Sequence, residues 1–246
     1  MIRSSGGARS VRAALFAAVF LFSGVAPAQD GRGYLEFGGG YKTGDFGTAI
    51  RTSLYYASST LGYISERHQA SVTVPYLFLS DDAGTRESGV GDVILRGGRV
   101  IVPQGGSGFS LDGSLALKIP TADESRGLGT GKTDYGAFLI AHQRAGSVKF
   151  SLLGGYIKVG DPPGTDYNDI LLYSLGVSKL FGTRGVYAAI EGRRASIPGA
   201  MNPREVSVGY FEAFSARWAL KGHAFAGLND GGPDFGLGFG LVRWLN

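Results

Sequence analysis

Three histidines, one Gly-Lys-Thr tripeptide and a scatter of single charges are the residues of this 246-residue chain whose types invite a catalytic or ligand-binding reading. The tripeptide Gly131-Lys132-Thr133 matches the end of a phosphate-binding P-loop, but that motif needs a glycine five residues before Gly131, and position 126 is Arg126. Its surroundings read as a loop between strands, not as a strand-to-helix turn. His68, His142 and His223 fall on separate predicted strands without the close pairing of a metal site. A Ser–His nucleophile needs the hydroxyl within hydrogen-bond reach of the imidazole. His142 is followed by Gln143 and Arg144, with no Ser two positions away on its face, and Ser71, three positions after His68, falls on the opposite face of a strand. No catalytic residue, cofactor or metal is therefore expected.

The single charges have a different regularity: they recur at alternate positions, opposed by apolar residues. Phe109, Leu111, Leu115, Leu117 and Ile119 share one parity, and Ser110, Asp112, Ser114 and Lys118 the other. Leu35, Phe37 and Tyr41 oppose Glu36 and Lys42; Ala70, Val72, Val74, Tyr76 and Phe78 oppose Gln69, Ser71 and Thr73. Val186, Ala188 and Ile190 oppose Glu191 and Arg193, and Trp218, Leu220 and Ala224 oppose Lys221 and His223. A period of two means strands with one apolar and one polar face. About twelve are predicted, near 33–43, 47–58, 63–79, 90–102, 107–120, 134–145, 147–159, 170–181, 185–196, 204–214, 216–228 and 234–245.

The first residues fix the compartment in which these strands fold. Arg3, Arg9 and Arg12 precede an apolar run over 13–25, and Ala26-Pro27-Ala28 gives the small-x-small pattern of a signal peptidase site, so residues 1–28 are expected to be a cleaved secretory signal. As a helix the apolar run would rise only about 20 Å, too short to anchor. Three of the 24 basic residues leave with it, so residues 29–246 carry 21 basic against 20 acidic groups. Nothing in that balance calls for nucleic acid. With no cysteine in the chain, an exported domain must rely on backbone hydrogen bonds and packing.

The connections alternate. Those at 58–62, 103–106, 145–146, 182–184 and 215 read as short; those at 80–89, 121–133, 160–169, 197–203 and 228–233 read as long and polar, with a tight first turn at Gly44-Asp45 as the exception. Short turns on one side, long loops on the other and an even strand count describe an all-β, transmembrane antiparallel up-and-down β-barrel of the bacterial outer membrane. A soluble β-sandwich would not need that alternation. Tyr34, Tyr76, Phe78, Tyr135, Tyr156, Trp218 and Trp244 are expected at the membrane interfaces. Asp92, Arg96, Asp112, Lys118, Glu191, Arg193, Lys221 and His223 are the expected lumen or solute-pathway residues. A guessed register puts Glu191 beside Lys221 and Arg193 beside His223 in two charged tiers across Gly209 and Ser207. The glycine-rich loop 121–133, together with 160–169, is expected to fold inward as a constriction.

The runs Val74-Pro75-Tyr76, Gly89-Val90-Gly91-Asp92, Leu117-Lys118-Ile119-Pro120-Thr121, Gly127-Leu128-Gly129-Thr130-Gly131 and Thr133-Asp134-Tyr135 resemble, in order and spacing, the outer-membrane transporter family named for the meta pathway of phenol degradation. Gly155-Tyr156, Val159-Gly160-Asp161-Pro162-Pro163, Gly227-Leu228 and Gly232-Pro233-Asp234 continue the resemblance almost to the end. It implies a channel for passive uptake of small hydrophobic or aromatic compounds, with the outer-membrane bilayer, the barrel assembly machinery and the solute as partners. A structural or adhesive barrel with a plugged lumen is the alternative, and an outer-membrane esterase or lipase a weaker one.

Overall fold

The computed structural model describes residues 31–245, so the expected signal peptide lies outside the described residues. Thirteen strands follow one another: β1 Arg32–Gly44, β2 Thr52–Ile64, β3 His68–Asp81, β4 Arg86–Val90, β5 Val93–Val102, β6 Phe109–Ile119, β7 Asp134–Ala145, β8 Val148–Lys158, β9 Ile170–Phe181, β10 Arg184–Arg193, β11 Arg204–Ala213, β12 Trp218–Gly227 and β13 Phe235–Trp244. Apart from β4 and β5, which do not pair with each other, chain neighbours pair antiparallel, and β1 pairs with β13 from Tyr34↔Trp244 to Thr43↔Phe235, which closes the sheet. The strands β4 and β5 share one place beside β3, so the wall is a closed barrel of twelve positions.

Alternation decides which side of the wall each residue faces. The outward positions are apolar all round, and Leu115, Leu171 and Phe239 are more than 60% exposed. On a water-facing surface a continuous belt of this kind would aggregate; in a bilayer it is the solvated face. Closure leaves no edge within the twelve-position wall, as hydrocarbon requires, while β4, paired only with β3, stands at the long-loop end. Inward lie Glu36, Lys42, Arg96, Asp112, Lys118, Glu191, Arg193, Lys221 and His223, as the parity predicted. Tyr34 and Trp244 also point inward, where their rings meet edge to face at 5.8 Å, so they are not part of the interfacial girdle. Both share the inward parity of Glu36 and Val242, and that parity outweighs their position at strand ends.

Three boundaries differ from expectation. The first hairpin is not tight, because residues 45–51 form a true loop between β1 and β2. The expected turn at 58–62 is instead the lower half of β2. Ser58, Ser59 and Thr60 are polar on both faces, so periodicity is silent there, and the Thr60 hydroxyl bonds that of Thr73 across the sheet at 2.8 Å. The expected long loop at 80–89 is mostly strand: Arg86–Val90 pairs back onto β3 after a turn at 82–85. The long connections then lie at the end holding 45–51, 120–133, 159–169, 194–203 and 228–234, opposite both described chain ends.

Candidate functional site

The wall is broken where β4 gives way to β5. Between the pairs Tyr76↔Val90 and Thr73↔Ile94, β3 spends two residues and its partner three, so one residue bulges. Pro75 has no N–H to contribute; its carbonyl accepts from Gly91 N–H at 2.8 Å. The Thr121 hydroxyl fills the gap, accepting from Val93 N–H at 3.0 Å and donating to the Gly91 carbonyl at 3.1 Å. A Cβ on Gly91 would come within 3.0 Å of Leu77 and Pro75, so only glycine fits there without displacing them.

The bulge turns Asp92 into the lumen, where a buried ionic centre forms. Lys118 Nζ lies 3.2 Å from Asp92 Oδ2, 3.0 Å from Asp134 Oδ2 and 2.7 Å from the Thr130 hydroxyl. Asp92 also accepts from Ala122 N–H at 3.1 Å, and Asp134 from Gly160 N–H at 2.9 Å. One ammonium thus holds β6, β7, the bulge between β4 and β5 and the loop 120–133 together. Buried charge of this kind tolerates no missing partner.

That loop folds inward, as expected. Leu128, 4% exposed, packs with Leu54, Leu77, Leu79 and with Phe46, also 4% exposed, from the first loop. Phe46 adopts φ 50°, a left-handed backbone that a bulky residue holds only when its surroundings force it. The loop is braced outside by Arg126, whose Nε donates to Glu87 at 2.7 Å. The Asp123 carboxylate accepts from the Ser125 hydroxyl at 2.6 Å and from Ser125 N–H at 2.9 Å. The Ser125 hydroxyl, followed by the amides, holds that carboxyl below its usual range. The five runs that carried the resemblance in the first half of the chain meet at this one place: Pro75, Gly91-Asp92, Lys118 with Thr121, Leu128 to Thr130, and Asp134.

Beneath this loop lies a cavity of about 280 Å³, lined by Tyr34, Tyr56, Tyr187, Phe225 and Trp244 among charged side chains that include Glu36, Arg96, Glu191 and Lys221. The expected charged tiers do not form. Glu191 lies opposite Glu205 and Gly209 opposite Tyr187, a register four residues from the guess, while His223 and not Lys221 lies beside Gly209. The loop between β10 and β11 is centred nearer its start than expected, and the Tyr187 ring occupies the space over Gly209. Arg193 pairs with Glu205 at 2.6 Å, and Lys221 with Glu36 at 2.8 Å across the closing seam. Asp112 stands apart, with His142 Nε2 at 3.3 Å.

Sequence reasoning missed Asp134, Thr130, Phe46 and Tyr187. The Asp134 position at the first residue of an inward-facing parity was a usable signal; the loop residues offered none.

The model of the family described as "Putative MetA-pathway of phenol degradation" matches residues 36–245. Among solved structures the chain is similar to the KdgM porin in complex with disordered oligogalacturonate (TM-score 0.60, 7% identity, 87% of this chain and 99% of that one). It is similar also to the NanC porin (TM-score 0.57, 9% identity, 86% and 100%) and to the translocator domain of the autotransporter NalP from Neisseria meningitidis (TM-score 0.51, 12% identity, 87% of each). At these identities the likeness is one of fold. No curated protein sequence matches the chain.

Proposed function

The chain belongs to the family described by the phenol-degradation model, and from that premise we propose that it is an outer-membrane channel for passive uptake of small hydrophobic or aromatic compounds, closed at its outer end by the loop 120–133. The observation that carries this reading is the lumen: a lipid-facing barrel encloses a cavity walled by aromatic rings and paired charges, sealed by Leu128 and Phe46. The rings offer stacking and apolar contact to a flat solute, while paired charges keep the passage wet without fixing one sign. The outer-membrane location is supported by the outward apolar belt and the porin-like fold. Purified protein in planar bilayers should give discrete conductance steps, and vesicles carrying it should take up small aromatic solutes faster than empty ones. A barrel silent in both assays would favour the plugged, structural reading.

A further inference from the structure

On the inward face, near the short-turn end and away from the seal, three neighbouring strands bring together a serine, a histidine and an aspartate. Asp112 is on β6, His142 on β7 and Ser151 on β8, with His142 and Ser151 directly opposed in the ladder. The Ser151 hydroxyl lies 2.8 Å from His142 Nδ1, and His142 Nε2 lies 3.3 Å from Asp112 Oδ2. In the neutral imidazole this arrangement suits one tautomer, with Nε2–H donating to the carboxylate and the Nδ1 lone pair accepting the serine proton. A residue-by-residue search along one strand does not find the set, because its members are 9 and 30 positions from His142 in sequence.

We propose that Ser151, His142 and Asp112 form a hydrolytic triad in the lumen wall and that the barrel cleaves small uncharged carboxylic esters. Ser151 Oγ attacks the ester carbonyl carbon as its proton passes to Nδ1 of His142. Asp112 holds the imidazole and stabilises the imidazolium. The tetrahedral intermediate collapses, the C–O bond to the alcohol breaks, and the alcohol leaves with the proton from His142. Water then attacks the acyl-serine with His142 again taking the proton, releasing the acid and restoring the hydroxyl. Two neighbours suit this role. Gly176, opposite Ser151 on β9, presents no side chain towards the hydroxyl. Ser174, two residues away on the same face and 4% exposed, has a hydroxyl with no hydrogen-bond partner among the described residues. It lies diagonally from Ser151, within reach of a carbonyl oxygen bound between them.

The test uses full-length protein folded in detergent, with p-nitrophenyl acetate and butyrate as substrates and a fluorophosphonate as covalent probe. The wild type should turn over both esters and take up the probe, with peptide mass analysis placing the phosphonyl group on Ser151. Ser151→Ala should lose labelling and turnover while keeping heat-modifiable mobility and conductance. Asp112→Asn should slow turnover at least about tenfold. Absence of labelling in the wild type, or an adduct on any other residue, overturns the proposal. If Ser151→Ala does not fold, the adduct position on the wild type decides. Channel conductance is read separately, so a silent pore and an inactive triad remain distinguishable.

Discussion

Leu128→Ala isolates the seal from the barrel that carries it. The side chain is almost wholly withdrawn from water against Leu54, Leu77, Leu79 and Phe46, yet its backbone belongs to a loop and not to the hydrogen-bonded wall. Truncating a buried leucine to alanine costs about 2–5 kcal/mol, the spread reflecting how far the site collapses. The docked loop keeps its polar ties through Thr130, Ala122 and Arg126, so the lower part of that range applies. Taking about 2.8 kcal/mol, the ratio of undocked to docked loop rises about a hundredfold. Single-channel recording should therefore show a large increase in open time with the open-state conductance little changed. Heat-modifiable mobility should persist, because every strand pair is intact. An unchanged open time in a folded variant would refute the claim that Leu128 closes the pore.

Four further outcomes follow from the same geometry. Lys118→Met leaves Asp92 and Asp134 facing each other without their cation, and should lower the thermal unfolding midpoint by the equivalent of about 3–5 kcal/mol, more than Asp92→Asn does. Glu36→Gln removes the carboxylate that faces Lys221 and should move the reversal potential in a salt gradient towards anion selectivity, with Lys221→Met moving it the other way. The Asp123 carboxyl is held below its usual range, so its support of the loop is complete above the ordinary carboxylate pKa and is lost as pH falls through the lowered value; open time should rise on acidification, and Asp123→Asn should flatten that dependence. Cysteines introduced at Glu124 or Asp166 should react with an impermeant thiol reagent on intact cells, and one at Gly106 should not; reversed labelling would invert the orientation of the barrel.

The side of the wall each residue faces was legible in the sequence because it depends on parity alone. Glu36, Asp112, Lys118 and Lys221 needed no partner to be assigned inward; a lipid-facing charge at those positions would be too costly. Parity fails only where both faces carry the same chemistry. Ser58, Ser59 and Thr60 hid the middle of β2, and Arg86 to Val90, with alternating charges and glycine, hid a strand inside an expected loop.

Partnership was much less legible, because it depends on register, and a register is set by loop length and by the space each side chain finds. In the sequence, Gly209 reads as an opening across which Glu191 meets Lys221. In the barrel the Tyr187 ring fills that opening: a Cβ on Gly209 would sit 1.9 Å from it, so the glycine exists for the tyrosine and not for the charges. The same logic explains the glycines of the resembling segments. A Cβ on Gly89 would meet Leu128 at 2.7 Å, and one on Gly129 would meet Asp92 Oδ1 at 2.7 Å. These residues mark the places where the loop seats on the wall, and their spacing in sequence therefore records a contact between distant segments. Glycine-rich runs that read as flexibility in one dimension are, in the folded barrel, the close-packed floor of its seal.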